Sequence, residues 1–178
     1  TKVIRNKLKI NNGKIIKSDL AKVLKINSSE QINNYKLLSS TPIRFFIDNN
    51  IYVEDLNTSE IKALTTDGST TLINGTFDWA YEEEFACRDG FRWSPDNKSI
   101  AYWQIDASDI KKFYMINNTD AIYSQPVPLE YPKVGEIPSA CKVGVVKISN
   151  AKTTWIEVPG DASQNYLVRM EFIPSTNN

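Results

Sequence analysis

The sequence contains no histidine, and this absence limits the chemistry that the chain can perform. Without histidine, neither a Ser-His-Asp triad nor a Cys-His nucleophilic pair can form. Histidine metal ligands are missing too, and two cysteines are too few for an ordinary structural zinc site. The sequence also lacks a glycine-rich phosphate loop and a Gly-x-Ser-x-Gly elbow. We therefore expect no catalytic residue, no bound metal and no cofactor in this chain.

Charge and hydropathy exclude further classes of protein. The chain has 21 basic and 21 acidic residues without a basic block, so we expect no nucleic-acid partner. No apolar run approaches the ~18–20 residues that span a bilayer. The N-terminal segment lacks the apolar stretch and cleavage site of a signal peptide, so either the protein has none or it precedes this sequence. With 178 residues, the chain is long enough for one domain with a hydrophobic core.

Two cysteines, Cys87 and Cys141, leave two alternatives open. They form a disulfide if the protein is exported, or they remain thiols that behave as small buried hydrophobic residues.

Short apolar segments separated by polar turns dominate the pattern. Three of them share a layout of strand, polar turn and strand, at Gly13–Ile26, Asn50–Thr65 and Val143–Val158. Such alternation at period two is typical of β-hairpins. A second kind of hairpin, Phe91–Trp103, has a Ser-Pro-Asp-Asn turn, in which proline presets φ and Asp and Asn tolerate the tight bend. Tyr35–Asp48 is a degenerate copy of it.

The spacing of these hairpins predicts a β-propeller. Matching points at Leu20 and Leu56 are separated by close to the ~40–45 residues of one four-stranded blade. The next matching point, Ile148, follows after about two blade lengths. The excess lies in residues 105–142, which are rich in proline, asparagine and aromatic residues. We interpret this segment as an arm inserted into one blade, and a plain long surface loop is the alternative.

The expected fold class is therefore all-β. We expect a partial β-propeller of about three blades of four-stranded antiparallel sheets, with one long inserted arm. A β-sandwich is the alternative. The best candidate for a helix is the short run Trp79–Phe85, in which aromatic and acidic residues mix.

That run carries a specific resemblance. Asp78-Trp79-Ala80-Tyr81-Glu82-Glu83-Glu84 closely resembles the Asp-Trp-x-Tyr-Glu-Glu-Glu motif in the N-terminal propeller of the dipeptidyl peptidase IV family, which are prolyl-oligopeptidase-type serine exopeptidases. The resemblance continues through Arg92–Asp106 and Tyr131–Glu136, and it covers the chain from about Ile43 to Pro174.

The resemblance implies a domain organisation. In this family an eight-bladed propeller caps an α/β-hydrolase domain, which holds the catalytic serine, aspartate and histidine. Residues 1–178 would then be a partial N-terminal propeller domain, and the hydrolase domain of the same parent chain would be absent. The parent would release N-terminal dipeptides with proline or alanine second, whereas this chain alone would be inactive. The arm takes the place of the family's dimerisation arm, which implies a homodimer.

The resemblance also implies roles for single residues. Glu83 and Glu84 would bind the free α-amino group of a peptide substrate, and the motif residues that would support them are Asp78, Trp79, Tyr81 and Glu82. An arginine that assists them in the family has no placed counterpart in this chain. Adjacent residues of a strand point to opposite faces, so joint binding of one ammonium requires a helical turn or bulge around Tyr81–Phe85.

Other interpretations of the acidic run stay open. A run of three glutamates is most simply a solvated surface segment, and it is a poor calcium site because adjacent residues rarely supply a full ligand shell. For the whole protein, the alternative to a peptidase is a non-catalytic propeller that serves as a protein-interaction scaffold. The asparagine- and lysine-rich composition suggests a bacterial protein that is exported to the periplasm or cell envelope.

Overall fold

The structure is a computed structural model that describes residues 10–11, 14–15, 43–55, 58 and 60–173. The chain divides into two compact units, Thr1–Thr41 and Pro42–Asn178. In the first, β1 (Ile10–Asn11) and β2 (Lys14–Ile15) form an antiparallel pair. The predicted hairpin Gly13–Ile26 and the first part of Tyr35–Asp48 lie largely outside the described residues.

The second unit contains one helix and ten strands among its described residues. These are β3 (Ile43–Ile47), β4 (Asn50–Glu54), β5 (Ile61–Ala63), β6 (Leu72–Asn74), α1 (Trp79–Phe85), β7 (Phe91–Trp93), β8 (Ser99–Asp106), β9 (Lys112–Asn117), β10 (Gln125–Glu130), β11 (Ala140–Lys147) and β12 (Thr153–Trp155). All the strand pairings in this part are antiparallel. Almost all of the regular structure is therefore β, as the sequence predicts.

The largest sheet has the layout of a four-stranded blade. Its order is β12-β11-β8, and β6 and β7 both pair with β8. Because β11 occupies one edge of β8 along its whole length, β6 and β7 share the other edge. They lie end to end there, with Asn74 opposite Gln104 and Phe91 opposite Tyr102. The edge strand of this blade is thus interrupted between β6 and β7, and the interruption contains helix α1.

A second sheet has the order β3-β4-β5. The turn between β3 and β4 consists of Asp48 and Asn49, whose φ angles are 49° and 59°. Two consecutive positive φ angles are typical of a type I′ hairpin turn, which Asp and Asn tolerate. The carbonyl of Asn49 accepts a hydrogen bond from the backbone N–H of Asn74, at 3.1 Å. This turn therefore connects the three-stranded sheet to the edge strand of the blade.

Strand β8 is buried on both faces, in keeping with its largely apolar sequence. Residues 100–105 are all buried. Ile100 and Tyr102 face one hydrophobic cluster together with Ile51 of β4, whereas Trp103 and Ile105 face a second cluster. Successive side chains of a strand point to opposite faces, so β8 separates the two clusters. The second cluster includes residues of α1 and its flanks.

Two predicted hairpins are confirmed. Phe91–Trp103 forms β7 and β8, and the Ser94 hydroxyl bonds to the Asp96 carboxylate within their turn, at 2.7 Å. Val143–Val158 contains β11 and β12. Its turn ends at Ala151, which has a φ of 56° and donates to the Lys147 carbonyl. In the Asn50–Thr65 hairpin, β4 pairs with β5, and most of the predicted turn lies outside the described residues.

The inserted arm is a two-stranded hairpin that leaves the blade between β8 and β11. Strands β9 and β10 pair over their full lengths, from Lys112 opposite Glu130 to Asn117 opposite Gln125. Several apolar side chains on this hairpin and its turn are exposed, notably Ile116, Ile122 and Tyr123. Across the described part of the chain, none of the helices is both long and apolar enough to traverse a membrane.

Candidate functional site

The segment of residues 76–89 leaves the blade and returns to it at one point. The N–H of Gly75 donates to the carbonyl of Trp103 at 2.8 Å, and the N–H of Trp103 donates to the carbonyl of Gly90 at 3.0 Å. Both glycines thus continue the hydrogen-bond ladder of β8. A Cβ on Gly90 would lie only 2.6 Å from the carbonyl carbon of Gly75, so this close approach requires glycine. The segment projects from the blade as a closed loop.

Helix α1 is defined by local capping. The side chain of Asp78, the N-cap residue, accepts a hydrogen bond from the N–H of Tyr81 at 3.1 Å. Glu82 lies in the first turn, where a negative charge interacts favourably with the helix dipole. At the other end, Ala86 adopts a left-handed conformation with a φ of 54°, and the N–H of Cys87 donates to the carbonyl of Tyr81 at 3.1 Å. The helix predicted at Trp79–Phe85 is therefore confirmed.

Tyr81 fixes the buried side of the helix. It is fully buried and stacks on Phe77, with ring centroids 5.3 Å apart. Its hydroxyl accepts a hydrogen bond from the N–H of Leu167 at 3.1 Å and also bonds to the thiol of Cys141. The indole N–H of Trp103 donates to the carbonyl of the same leucine. Burial raises the pKa of Tyr81. This tyrosine therefore anchors the helix in the core.

The C-terminal segment packs against the same side of the helix. Tyr166 contacts the rings of Tyr81 and Phe85, at centroid distances of 5.6 and 4.9 Å. Burial raises the pKa of Tyr166, with smaller contributions from the negative charges of Asp78 and Glu84. No strand forms over the described residues 168–173. The preceding Leu167 instead has its backbone bound by side chains.

Glu83 and Glu84 are exposed, whereas Glu82 is half-buried. Successive residues of an α-helix are separated by about 100° around its axis, so the two exposed side chains do not point to opposite faces as they would in a strand. Within the described residues, neither carboxylate has a hydrogen bond or salt bridge to another side chain. The helix thus presents two adjacent, unneutralised carboxylates to solvent.

A cavity of about 690 Å³ adjoins one of these carboxylates. Trp79, Ala80 and Glu84 line it from helix α1. The opposite wall comes from the base of the arm, together with Tyr166 of the C-terminal segment. The arm residues that line the cavity are Phe113, Tyr131, Pro132, Lys133, Val134, Gly135 and Glu136. A ligand bound at Glu84 would therefore lie between the helix and the arm.

The base of the arm contacts the helix directly. The rings of Tyr131 and Trp79 have centroids 4.2 Å apart. Tyr131 also contacts Phe113 of β9 at 5.7 Å, and the ammonium of Lys133 lies 5.6 Å from the ring centroid of Phe113. Tyr131 lies in a segment that resembles the family, but the resemblance implies no role for it. Trp79 and Tyr131 are more than fifty positions apart, and nothing in the sequence indicates that they are in contact.

The two cysteines are both free thiols. Cys141 is buried in the cluster that contains Tyr81, and Cys87 packs against that cluster. Burial raises the pKa of Cys141 to about 11 and also raises the pKa of Cys87. Of the two alternatives left open by the sequence, the structure shows two free thiols, of which Cys141 is buried and Cys87 is half-buried. Among the described residues, no group of three or more cysteine, aspartate or glutamate side chains is arranged to hold a metal ion.

Comparisons with known proteins agree with this geometry. Residues 18–178 match the family model described as dipeptidyl peptidase IV (DPP IV) N-terminal region. Dipeptidyl aminopeptidase B from Saccharomyces cerevisiae is 30% identical over 155 residues, which are 82% of this chain and 19% of the yeast protein. The mouse protein named inactive dipeptidyl peptidase 10 is 26% identical over 137 residues, 74% of this chain and 17% of its own length.

A solved structure shares the fold. The crystal structure of Porphyromonas gingivalis dipeptidyl peptidase 4 matches with a TM-score of 0.65 and 31% identity, over 68% of this chain and 18% of that chain. This match confirms a partial propeller and disfavours the β-sandwich alternative. The chain spans less than a fifth of the length of each of these three relatives. The family model covers most of the sequence, and the chain belongs to the dipeptidyl peptidase IV N-terminal region family.

Proposed function

We propose that Glu83 and Glu84 bind the α-ammonium group of a peptide substrate, in a parent protein that releases dipeptides from peptide N-termini. The observation that carries this proposal is the exposed, unneutralised pair of carboxylates on α1, of which Glu84 lines a cavity, in a chain of this family. The parent would be a serine-type dipeptidyl peptidase that prefers proline or alanine at the second position. Its preferred substrates would be peptides with a free N-terminus.

The chemistry of an N-terminus fits this pair. Its α-amino group has a pKa of about 7.7–8.0 and is mostly protonated at neutral pH. The ammonium has three donors, which suit two carboxylates on neighbouring helical positions. Binding the chain end at a fixed point would place the bond two residues along at a distant nucleophile. The helix would thus contribute substrate positioning rather than acid-base catalysis.

The bond-breaking residues would lie outside this chain. A Ser-Asp-His triad needs a histidine, and these 178 residues contain none. We place the triad in an α/β-hydrolase domain of the same parent chain. That domain would cover the cavity beside Glu84 and partly exclude water from the carboxylates. The chain on its own would then be inactive.

The test replaces each glutamate by glutamine, which keeps the shape and removes the charge. In the full-length protein, Glu83→Gln and Glu84→Gln should each lower kcat/KM for a free-amine dipeptidyl substrate by ~10- to 150-fold, the equivalent of a charge-assisted hydrogen bond of ~1.5–3 kcal/mol. Solvent screening on the exposed helix favours the lower end of that range. Glu157→Gln, at another exposed glutamate, is the matched control.

The discriminating measurement is the same substrate with an acetylated N-terminus. Wild-type protein should strongly prefer the free amine, and each glutamine variant should lose most of that preference. Wild-type turnover by both glutamine variants would refute the assignment of the ammonium site.

A non-catalytic interaction scaffold is the second candidate. It is favoured by the match to a relative that is named as an inactive dipeptidyl peptidase. The residues that follow Asn178 in the full gene decide between the two candidates. A downstream Gly-x-Ser-x-Gly elbow would favour the peptidase, and its absence would favour the scaffold.

We also propose that the parent is a homodimer that associates through the arm, and that it is exported to the periplasm or cell envelope of a bacterium. Ile122 and Tyr123 in the arm are 97% and 81% exposed, and exposed apolar residues of this kind are typical of interaction surfaces. Size-exclusion chromatography with light scattering of the full-length protein should show a dimer, which Ile122→Asp should dissociate.

A further inference from the structure

The base of the arm reaches helix α1 through an aromatic pair. Trp79 is the first residue of the helix, and Tyr131 follows directly after β10. Their ring centroids are 4.2 Å apart, and both residues are half-buried. An aromatic pair of this kind stabilises by ~0.5–1.5 kcal/mol beyond the area that it buries. The contact therefore couples the position of the helix to the position of the arm.

Tyr131 is itself held in place by the arm. Its N–H donates to the carbonyl of Lys111 at 3.3 Å, and its ring contacts Phe113 at 5.7 Å. The ammonium of Lys111 lies 2.7 Å from a carboxylate oxygen of Glu136, and this ion pair closes the base of the arm. The tyrosine is thus a fixed part of the hairpin rather than a freely rotating surface side chain.

The remainder of this side of the helix has little other support. Between Glu84 and the loop of residues 131–136 lies the cavity of about 690 Å³ rather than packed side chains. On the opposite side the helix is fixed by the buried Tyr81. Because one side is packed in the core and the other faces a cavity, the contact between Trp79 and Tyr131 limits rotation of the helix about its buried side.

We propose that Tyr131 is a positioning residue for the ammonium site: through Trp79, the arm holds α1 in the orientation in which Glu83 and Glu84 bind a peptide N-terminus. This inference rests on the proposed function and adds the arm to that site. A misplacement of about 1 Å in a binding group can cost ~100-fold in rate. A small rotation of this seven-residue helix would therefore be felt at the substrate.

The experiment measures substrate discrimination in the full-length protein. Tyr131→Ala should raise KM for a free-amine dipeptidyl substrate, and it should lower the ratio of kcat/KM for the free-amine and N-acetylated substrates by at least ~10-fold. Tyr131→Phe keeps the ring and should retain the wild-type ratio. Tyr114→Ala removes another arm tyrosine, 61% exposed, and is the matched control. Light scattering of each variant separates a loss of positioning from a loss of association.

The outcomes separate this inference from the proposed function. A general loss of folded protein would lower turnover of both substrates equally and leave their ratio and KM unchanged, which would overturn the positioning role. A wild-type ratio in Tyr131→Ala, with loss of discrimination in Glu83→Gln, would overturn the inference alone. A wild-type protein that neither cleaves nor binds free-amine dipeptides would overturn the proposed function, and the inference with it.

Discussion

Gly90 lies against Gly75, so that the chain leaves and re-enters the edge of the blade at adjacent points. The two glycines bracket Trp103 and bond to its carbonyl and its N–H. A Cβ on Gly90 would meet the carbonyl carbon and oxygen of Gly75 at 2.6 and 2.8 Å. These are backbone atoms, which cannot rotate away as a flexible side chain would. The loop that carries the glutamates therefore depends on this crossing.

We predict that Gly90→Ala destabilises the protein and impairs the site together. Overpacking of this kind typically costs ~1–3 kcal/mol, and relief of the clash would displace residues 76–89 from the blade. The unfolding midpoint by calorimetry should fall, and binding of a free-amine dipeptide should weaken. Gly135→Ala is a useful comparison, because a Cβ there meets no atom within 4 Å, although its φ of 84° adds backbone strain. If the unfolding midpoint fell less in Gly90→Ala than in Gly135→Ala, the close approach of Gly90 to Gly75 would not be needed for stability.

The elements of this fold could largely be predicted from the sequence because their signals are local. Alternation at period two predicts the hairpins of β4 with β5 and of β11 with β12, and the Ser-Pro-Asp-Asn turn predicts the hairpin of β7 with β8. The run Trp79–Phe85, in which aromatic and acidic residues mix, predicts α1, and the structure shows that Asp78 caps it and that Glu82 lies in its first turn. The supporting role of Tyr81 is consistent with its full burial. For Glu83 and Glu84, the helical placement is confirmed, and their ligand remains a prediction.

The contacts between distant segments could not be predicted in this way. Tyr81 and Leu167 are 86 positions apart and meet through a hydroxyl and a backbone N–H. A tyrosine hydroxyl can bond to many partners, so the sequence does not predict that Tyr81 bonds to Leu167. The contact of Trp79 with Tyr131 likewise depends on how the arm folds back. Tertiary packing, rather than propensity, decides such pairs.

Lys62 connects the three-stranded sheet to the blade, and the loss of this contact should measurably lower stability. Its ammonium donates to the carbonyls of Ile148 and Ser149, each at 2.6 Å, although the residues are more than eighty positions apart. Hydrogen bonds from a charged donor typically contribute ~1.5–3 kcal/mol, and partial exposure reduces this. We predict that Lys62→Met lowers the free energy of unfolding by about 1 kcal/mol.

The control for this change is Lys98→Met. The Lys98 side chain is 82% exposed and lies 3.9 Å from Asp96, a separation at which a surface pair contributes little. The two variants remove the same charge, so the difference in their calorimetric midpoints isolates the contact between the sheets. Equal midpoints would show that the Lys62 contacts do not stabilise the fold.

The stability of the protein should fall at high pH because of Cys141. Burial raises the pKa of its thiol from the ordinary 9.0 to about 11. Burial also raises the pKa of the Tyr81 hydroxyl beside it. A group whose pKa is higher in the folded state stabilises that state below its unfolded pKa, and this contribution is lost as the pH rises through the folded value. We therefore expect the free energy of unfolding to decrease progressively between pH 9 and pH 11.

Urea unfolding at a series of pH values measures how steeply the free energy of unfolding falls with pH. Cys141→Ala should make this dependence shallower. Cys87→Ala, at the less buried thiol, should change it less. If Cys141→Ala left the pH dependence unchanged, the pKa of this thiol would not be higher in the folded protein than in the unfolded protein, and the prediction would be wrong.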